Sequence, residues 1–355
     1  NFPFREDPKY AGFASDGIGL QWLELEGPLP RNWPPESHRR VLGHLKRRAL
    51  EEPAGGRHYK IVTDDPEGDA KRLVRRFAVR AYRRPVSGRD LVIPMQQVRR
   101  RLQQQQPFVE AVLAGYRAIL TSPDFLLLQE EPGPLDSWAV ATRLSCFLTN
   151  AAPDDALRKA AAADELLADD GLREHTERLL NAPQGQRFVN HFLDDWLDLR
   201  NIALTEPDDN LYPEYNELLT ESMVAETRAY FTEMLRLDLP ASHIVDSEFL
   251  MLNQRLAENY GIPGVSGSHI RRVPIPDDSV RGGLLTQGSL LKITANGTTT
   301  SPVVRGTFVL SRLLGDPPPP PPPSVPAIEP DISGAVTIRQ QLAAHRSLAE
   351  CAACH

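Results

Sequence analysis

From residue 69 to residue 256 apolar side chains return every three or four positions, and the run is broken repeatedly by Pro, Gly and short polar residues. That period places one apolar stripe on each successive helix, so the chain is confined to a mainly α fold whose helices pack stripe to stripe. Residues 69–83 put Leu73, Val74, Phe77 and Ala81 on one face with Arg72, Arg75, Arg76 and Arg80 around it, and Pro85 stops that helix. Ser87-Gly-Arg-Asp90 can cap the next, residues 108–120 form another, and Ser122-Pro123 ends it and starts a further turn. Residues 135–148 form a helix carrying Trp138, Leu144 and Phe147, and Pro153-Asp-Asp155 opens a short one with acidic residues at its positive end. Residues 187–199 carry a double row, Phe188, Phe192, Trp196 beside Val189, Leu193, Leu197, which predicts a helix buried on a broad face. Residues 214–237 predict the longest helix. Strand is expected only in the first sixty residues, where residues 19–26 alternate, and around residues 271–294.

Across 355 residues, 41% hydrophobic and 25% charged, the composition is that of a globular protein with one to three domains. No apolar run approaches the length of a bilayer span. The formal charge of −7 argues against a nucleic-acid partner, and the arginines of residues 71–84 read as the solvated face of a helix.

The chemistry concentrates in Cys351-Ala-Ala-Cys354-His355. Two thiols at this spacing can add across the vinyl groups of one porphyrin edge as thioethers. The histidine after the second cysteine is then held beneath the iron as proximal ligand, which is the attachment pattern of haem c. Half of a zinc site would need two further soft ligands, and only Cys146 remains, in an apolar helical stretch where it reads as a small buried hydrophobe. A thioredoxin-like pair would need a strand before it and a helix after it, but a proline-rich tract and a polar helix precede this one. Two cysteines on haem leave no pair for a structural disulfide.

Other residues carry weaker signals. His345, six positions before Cys351, reads as a polar helix-end residue rather than a distal ligand, and Met223, Met234 and Met251 read as core fillers. Gly282-Gly283 and residues 294–301 are rich in backbone donors and hydroxyls; they can bind an anion or line a groove, with tight turns the preferred reading. Asn296-Gly-Thr298 matches a glycosylation acceptor but is more safely a turn. Asp194, Asp195 and Asp198 beside Trp196 raise a glycosidase-like carboxylate pair, yet a Trp in the buried row would send them to solvent. No nucleophile elbow and no His-Glu-x-x-His occur, so no catalytic constellation emerges and enzyme activity stays open. Seven prolines, Pro317 to Pro323, predict a stiff rod of about 3.1 Å per residue. The rod holds the haem segment at a fixed distance from the helical body or serves as a solvated linker.

Several blocks together resemble a known family. They are Phe77 to Val86 with its Tyr-Arg-Arg-Pro-Val end, Leu120-Thr-Ser-Pro-Asp-Phe125, Arg143-Leu-Ser-Cys-Phe-Leu148, Pro153-Asp-Asp155, Trp196-Leu-Asp-Leu199 and Tyr260-Gly-Ile-Pro263. Arg281 to Gly306, the proline rod and His345-Arg followed by the haem motif complete them. In this order they resemble the planctomycete-type multi-domain cytochrome c proteins, built from serial domains of unknown function. The resemblance runs from about Glu26 to the end.

It implies an exported, haem-bearing protein, without supplying a reaction. The expected layout is the end of an upstream β-rich module and linker at 1–65, helical domains at 66–130 and 131–260, and a Gly/Thr-rich domain with a helix at 261–316. A polyproline linker at 317–330 and the start of a haem c segment at 331–355 follow. Both ends read as cuts, with a signal peptide expected upstream and a haem-closing segment downstream. The expected function is electron transfer through covalent haem outside the cytoplasm, with a redox protein or another cytochrome as partner. The alternatives are a haem-containing enzyme or polymer-binding module, or a structural subunit of a larger assembly; oligomerisation is open.

Overall fold

The computed structural model describes residues 22–24, 35–50, 58–130, 132–298, 300–318, 337, 339–340 and 343. It is mainly helical with two small antiparallel sheets, and it divides into two units, residues 1–139 and 140–355. No helix among the described residues is long and apolar enough to cross a membrane.

The first unit opens with α1 (Glu36–Leu42) and a hairpin of β1 (Lys46–Leu50) and β2 (His58–Val62), in register from Lys46 opposite Val62 to Leu50 opposite His58. Three helices follow: α2 (Pro66–Ala81), α3 (Val92–Gln103) and α4 (Phe108–Leu120), then the single turn α5 (Pro123–Leu126). Asp65 caps α2, its carboxylate accepting the Gly68 N–H at 2.9 Å, while Pro66 takes the first helical position, where no N–H is needed. The predicted stripe is the buried one: Leu73, Val74 and Ala81 enter the core with Ala70 and Ala78, and Phe77 stacks on Tyr116 at 4.2 Å between centroids. Arg72, Arg75, Arg76 and Arg80 are exposed, as a solvated face requires. At Gly115 an added Cβ would lie 2.9 Å from Val98 and 3.1 Å from Val74, so the missing side chain lets α4 lie close against α2 and α3.

Between α2 and α3, Ser87 donates from both N–H and hydroxyl to Asp90, at 2.6 and 2.8 Å. Arg84 reaches the same carboxylate at 2.9 Å and Asp124 at 2.7 Å, while Arg83, at φ 57°, donates to the Phe125 carbonyl at 3.1 Å. The Tyr-Arg-Arg-Pro-Val block therefore clamps the start of α3 to α5.

α6 (Ser137–Thr149) runs across the division between the units. The second unit continues with α7 (Asp155–Ala162), α8 (Asp169–Leu180), α9 (Gln186–Trp196) and the long α10 (Glu217–Arg236). Asp154 caps α7 through the Leu157 N–H at 2.8 Å, and Asn216 caps α10 through the Leu219 N–H at 2.9 Å. After α10 come β3 (Phe249–Leu252), α11 (Gln254–Tyr260) and β4 (Arg271–Pro274), then α12 (Gly288–Ile293) and α13 (Pro302–Phe308), which runs into a wide π-helical turn, Val309–Leu314. β3 pairs with β4 from Phe249 opposite Pro274 to Leu252 opposite Arg271.

One core joins Val189, Leu193 and Leu197 of α9 to Tyr230 and Met234 of α10, Phe249 of β3 and Leu284. A second joins Leu219 and Met223 of α10 to Leu250, Leu252 and Leu256. α10 thus contributes to both, and β3, buried at all four positions, sends alternate side chains into each.

Three expectations change. Residues 249–252 fall within the stretch of helical period, but four consecutive buried apolar residues form a strand covered on both faces, and Met251 lies there rather than on a helix. Cys146 is exposed: α6 turns Ala141, Ser145, Leu148 and Thr149 inward and leaves Cys146 and Phe147 outside. In α9 the row Val189, Leu193, Leu197 is buried, whereas Phe188, Phe192 and Trp196 are half-buried on a flank. Of the expected strand at 19–26, only residues 22–24 are described. They belong to no strand, and Trp22 and Leu23 are exposed.

Candidate functional site

The haem-motif residues Cys351, Cys354 and His355 lie outside the described residues, as do His345 and the rod beyond Pro318. The donor chemistry fits haem c: two thiols for thioether bonds and an adjoining imidazole for the iron. Among the described residues no group of three His, Cys, Asp or Glu side chains comes together to hold a metal.

The chain's last described elements are fixed to α9. The Trp196 indole N–H donates to the Arg312 carbonyl at 2.5 Å, and Arg312 donates back to the Asp195 carbonyl at 3.0 Å. Pro317 and Pro318, the first two prolines of the rod, are exposed. Beside this anchor the half-buried aromatic row steps from Phe147 to Phe188, Phe192 and Trp196 at 5.0, 5.4 and 5.3 Å between centroids. It lines a shallow cavity of about 510 Å³ with Cys146 and His191. Asp194 pairs with Arg228 at 2.8 Å, Asp195 with Arg200 at 2.5 Å, and Asp198 accepts from Asn201 at 2.8 Å, so each of these carboxylates is held by a different neighbour. Met223, Met234 and Met251 are buried in the cores.

A second site was not anticipated from sequence. Glu226 of α10 has no exposed surface, and the Tyr260 hydroxyl at the end of α11 donates to it at 2.5 Å. That hydroxyl accepts the Gly288 N–H of α12 at 2.7 Å, and a Cβ at Gly288 would come within 2.9 Å of both the hydroxyl and Met223. Glycine is what allows the contact. Beside Glu226, Thr227 donates to Gln287 Oε1 at 2.7 Å and shares a hydrogen bond of 2.6 Å with Ser289. Among the described residues, Glu226 Oε1 and Gln287 Nε2 have no hydrogen-bond partner. Burial pushes the Glu226 carboxyl up to about 8, against the opposing pull of the Tyr260 hydrogen bond and the Arg281 charge. The Tyr260 phenol is raised well above its ordinary value by burial and by the carboxylate beside it.

Outside this cluster lies a cavity of about 410 Å³ whose lining includes Tyr212, Tyr215, Tyr260, Arg281, Lys292 and Arg305. The Arg281 guanidinium lies 3.4 Å from the Tyr260 ring centroid. The Gly-rich and Thr-rich segments are both turns and walls. Gly283, at φ 63°, packs on the Ile244 and Val245 carbonyls, and Gly297, at φ 90°, makes the turn that brings Ala295 opposite Thr300. Ala295, Gly297 and Thr300 line the cavity.

Three family models match in series. Residues 69–130 match PSD5, protein of unknown function (DUF1595), and residues 135–262 match PSD4, protein of unknown function (DUF1592). Residues 281–355 match PSCyt3, protein of unknown function (DUF1588). No curated protein and no solved structure matches the chain.

Proposed function

Because the chain carries in series three domain families of the planctomycete-type multi-domain cytochrome c proteins, we propose that it is an exported c-type cytochrome moving electrons outside the cytoplasm. The observation that carries this reading is that the PSCyt3 match runs through Cys351, Cys354 and His355, a complete donor set for haem c. Cys351 and Cys354 would hold the group by thioethers and His355 would bind its iron, which supplies a one-electron redox change. The helical body offers a docking scaffold to a redox protein or another cytochrome. The link from Trp196 and Asp195 to Arg312 fixes where the proline rod leaves that body.

A pyridine haemochrome spectrum of protein matured in a host that attaches haem c tests the proposal. Thioether-linked haem and reversible one-electron reduction are expected; absence of the thioether spectrum overturns it. The His355→Ala variant should retain covalent haem, lose low-spin axial ligation and shift in potential.

A further inference from the structure

We propose that the cavity lined by α10, α11, α12 and the turn residues Ala295, Gly297 and Thr300 binds a small ring-bearing carboxylate. Three cations line it, and among the described residues none of the three is paired with a carboxylate. Arg281 spends Nη1 on the Thr286 carbonyl at 2.7 Å, and Arg305 reaches the Thr300 hydroxyl at 2.6 Å. Lys292, 9% exposed, donates to the carbonyls of Ile202 and Thr205, which leave its charge uncompensated. Three cationic side chains around one hollow give it a positive potential that attracts an anion, although the chain as a whole carries a net charge of −7.

The walls say what else the anion carries. Tyr212, Tyr215 and Tyr260 line the hollow with Pro207, and a lining rich in aromatic side chains favours a ring over a compact inorganic ion. Tyr260 is immobilised, with its hydroxyl fixed between Glu226 and the Gly288 N–H and its ring covered by Arg281. Arg281 is thereby presented as a preorganised donor fork for one carboxylate. The one acid in the lining, Glu214, is exposed, and it works against an anion already bound. A volume of about 410 Å³ admits one sugar acid or one aromatic acid. Neither the site nor its test depends on the haem.

Calorimetric titration of the intact chain with galacturonate, 4-hydroxybenzoate, galactose and inorganic phosphate tests the proposal. Saturable binding of at least one acid is expected, and which acid binds tells a saccharide source from an aromatic one. Arg305→Gln should weaken that acid by about tenfold, from loss of a charged hydrogen bond. Glu214→Gln, an exposed change that leaves the fold alone, should tighten it by roughly twofold through relief of like-charge repulsion. Binding of neither acid would overturn the proposal. So would equal affinity for phosphate, equal affinity for galactose, or an affinity unchanged in both variants.

Discussion

The Tyr260 hydroxyl donates a 2.5 Å hydrogen bond to Glu226, a carboxyl group wholly inside the protein. The two residues are 34 positions apart, and the contact ties α10 to the end of α11, with α12 closing on it through the Gly288 N–H. A buried carboxylate with one oxygen unpartnered among the described residues is costly, so the protonated form is favoured.

That protonation makes stability depend on pH. The folded carboxyl titrates at about 8 against an ordinary value of 4.5. Between those values the folded state holds a proton that the unfolded chain has released. Stability therefore falls as pH rises through that window, by up to about 1.4 kcal/mol per pH unit. Glu226→Gln should remove this slope and raise the melting temperature near pH 8. Parallel slopes for variant and parent in melts across pH 5 to 8 would show that Glu226 is ionised in the fold.

Arg84 gives the opposite sign in the first unit. Its hydrogen bond, with those from Ser87, holds the Asp90 carboxyl down to about 2 from 3.8. The contribution is present above the ordinary value and is lost as pH falls toward 2. The guanidinium is partly exposed, so Arg84→Ala should cost only about 1 kcal/mol near neutral pH. It should also flatten the acid limb of the stability curve. Denaturant melts at several acidic pH values check both.

Much of this fold was legible because helix stripes and caps are local. Asp154 and the spacing of Leu73, Val74 and Ala81 act within one or two turns, and helices form where those signals lie, whereas the Asp65 cap that starts α2 was not read. Glu226 was missed although a signal was present. It falls on the series Leu219, Met223, Glu226, Tyr230, Met234, all buried on one face of α10, so an acid occupied a core position. Its partners were not legible, since Tyr260 and Gly288 reach it only through tertiary packing. β3 was missed because a short apolar run has no period that separates a buried strand from a helix. Cys146 and the flank of α9 were misplaced because hydrophobicity says which side chains can be buried, while packing leaves a half-covered aromatic row.

Gly283 has no room for a side chain. At φ 63° an added Cβ would sit 2.6 Å from the Ile244 carbonyl oxygen and 2.7 Å from the Val245 carbonyl carbon. Gly283→Ala should destabilise the second unit by on the order of 2 kcal/mol or more. Gly264, also at positive φ but with open space around its Cβ, should tolerate alanine better. Equal losses in chemical denaturation of the two variants would refute the steric account.

Cys146 should behave as an accessible thiol. It is exposed beside the aromatic row, and if Cys351 and Cys354 are bound as thioethers it is the one cysteine left. Native protein loaded with haem should then give one equivalent in a thiol titration, and Cys146→Ser should give none while keeping its circular dichroism. Three equivalents from the loaded protein would mean that Cys351 and Cys354 are not in thioether linkage.

The double variant Cys351→Ala, Cys354→Ala separates the haem segment from the body. The cores of the second unit draw on α9, α10, β3 and the helices up to Leu313. The seven prolines stand in the sequence between Leu313 and Cys351, so the motif lies apart from those core segments along the chain. The double variant should therefore lack covalent haem yet keep its helical spectrum, with a melting temperature within about 2 °C of the loaded protein, as for changes outside a core. Cooperative loss of the whole fold would show instead that the haem is part of the core.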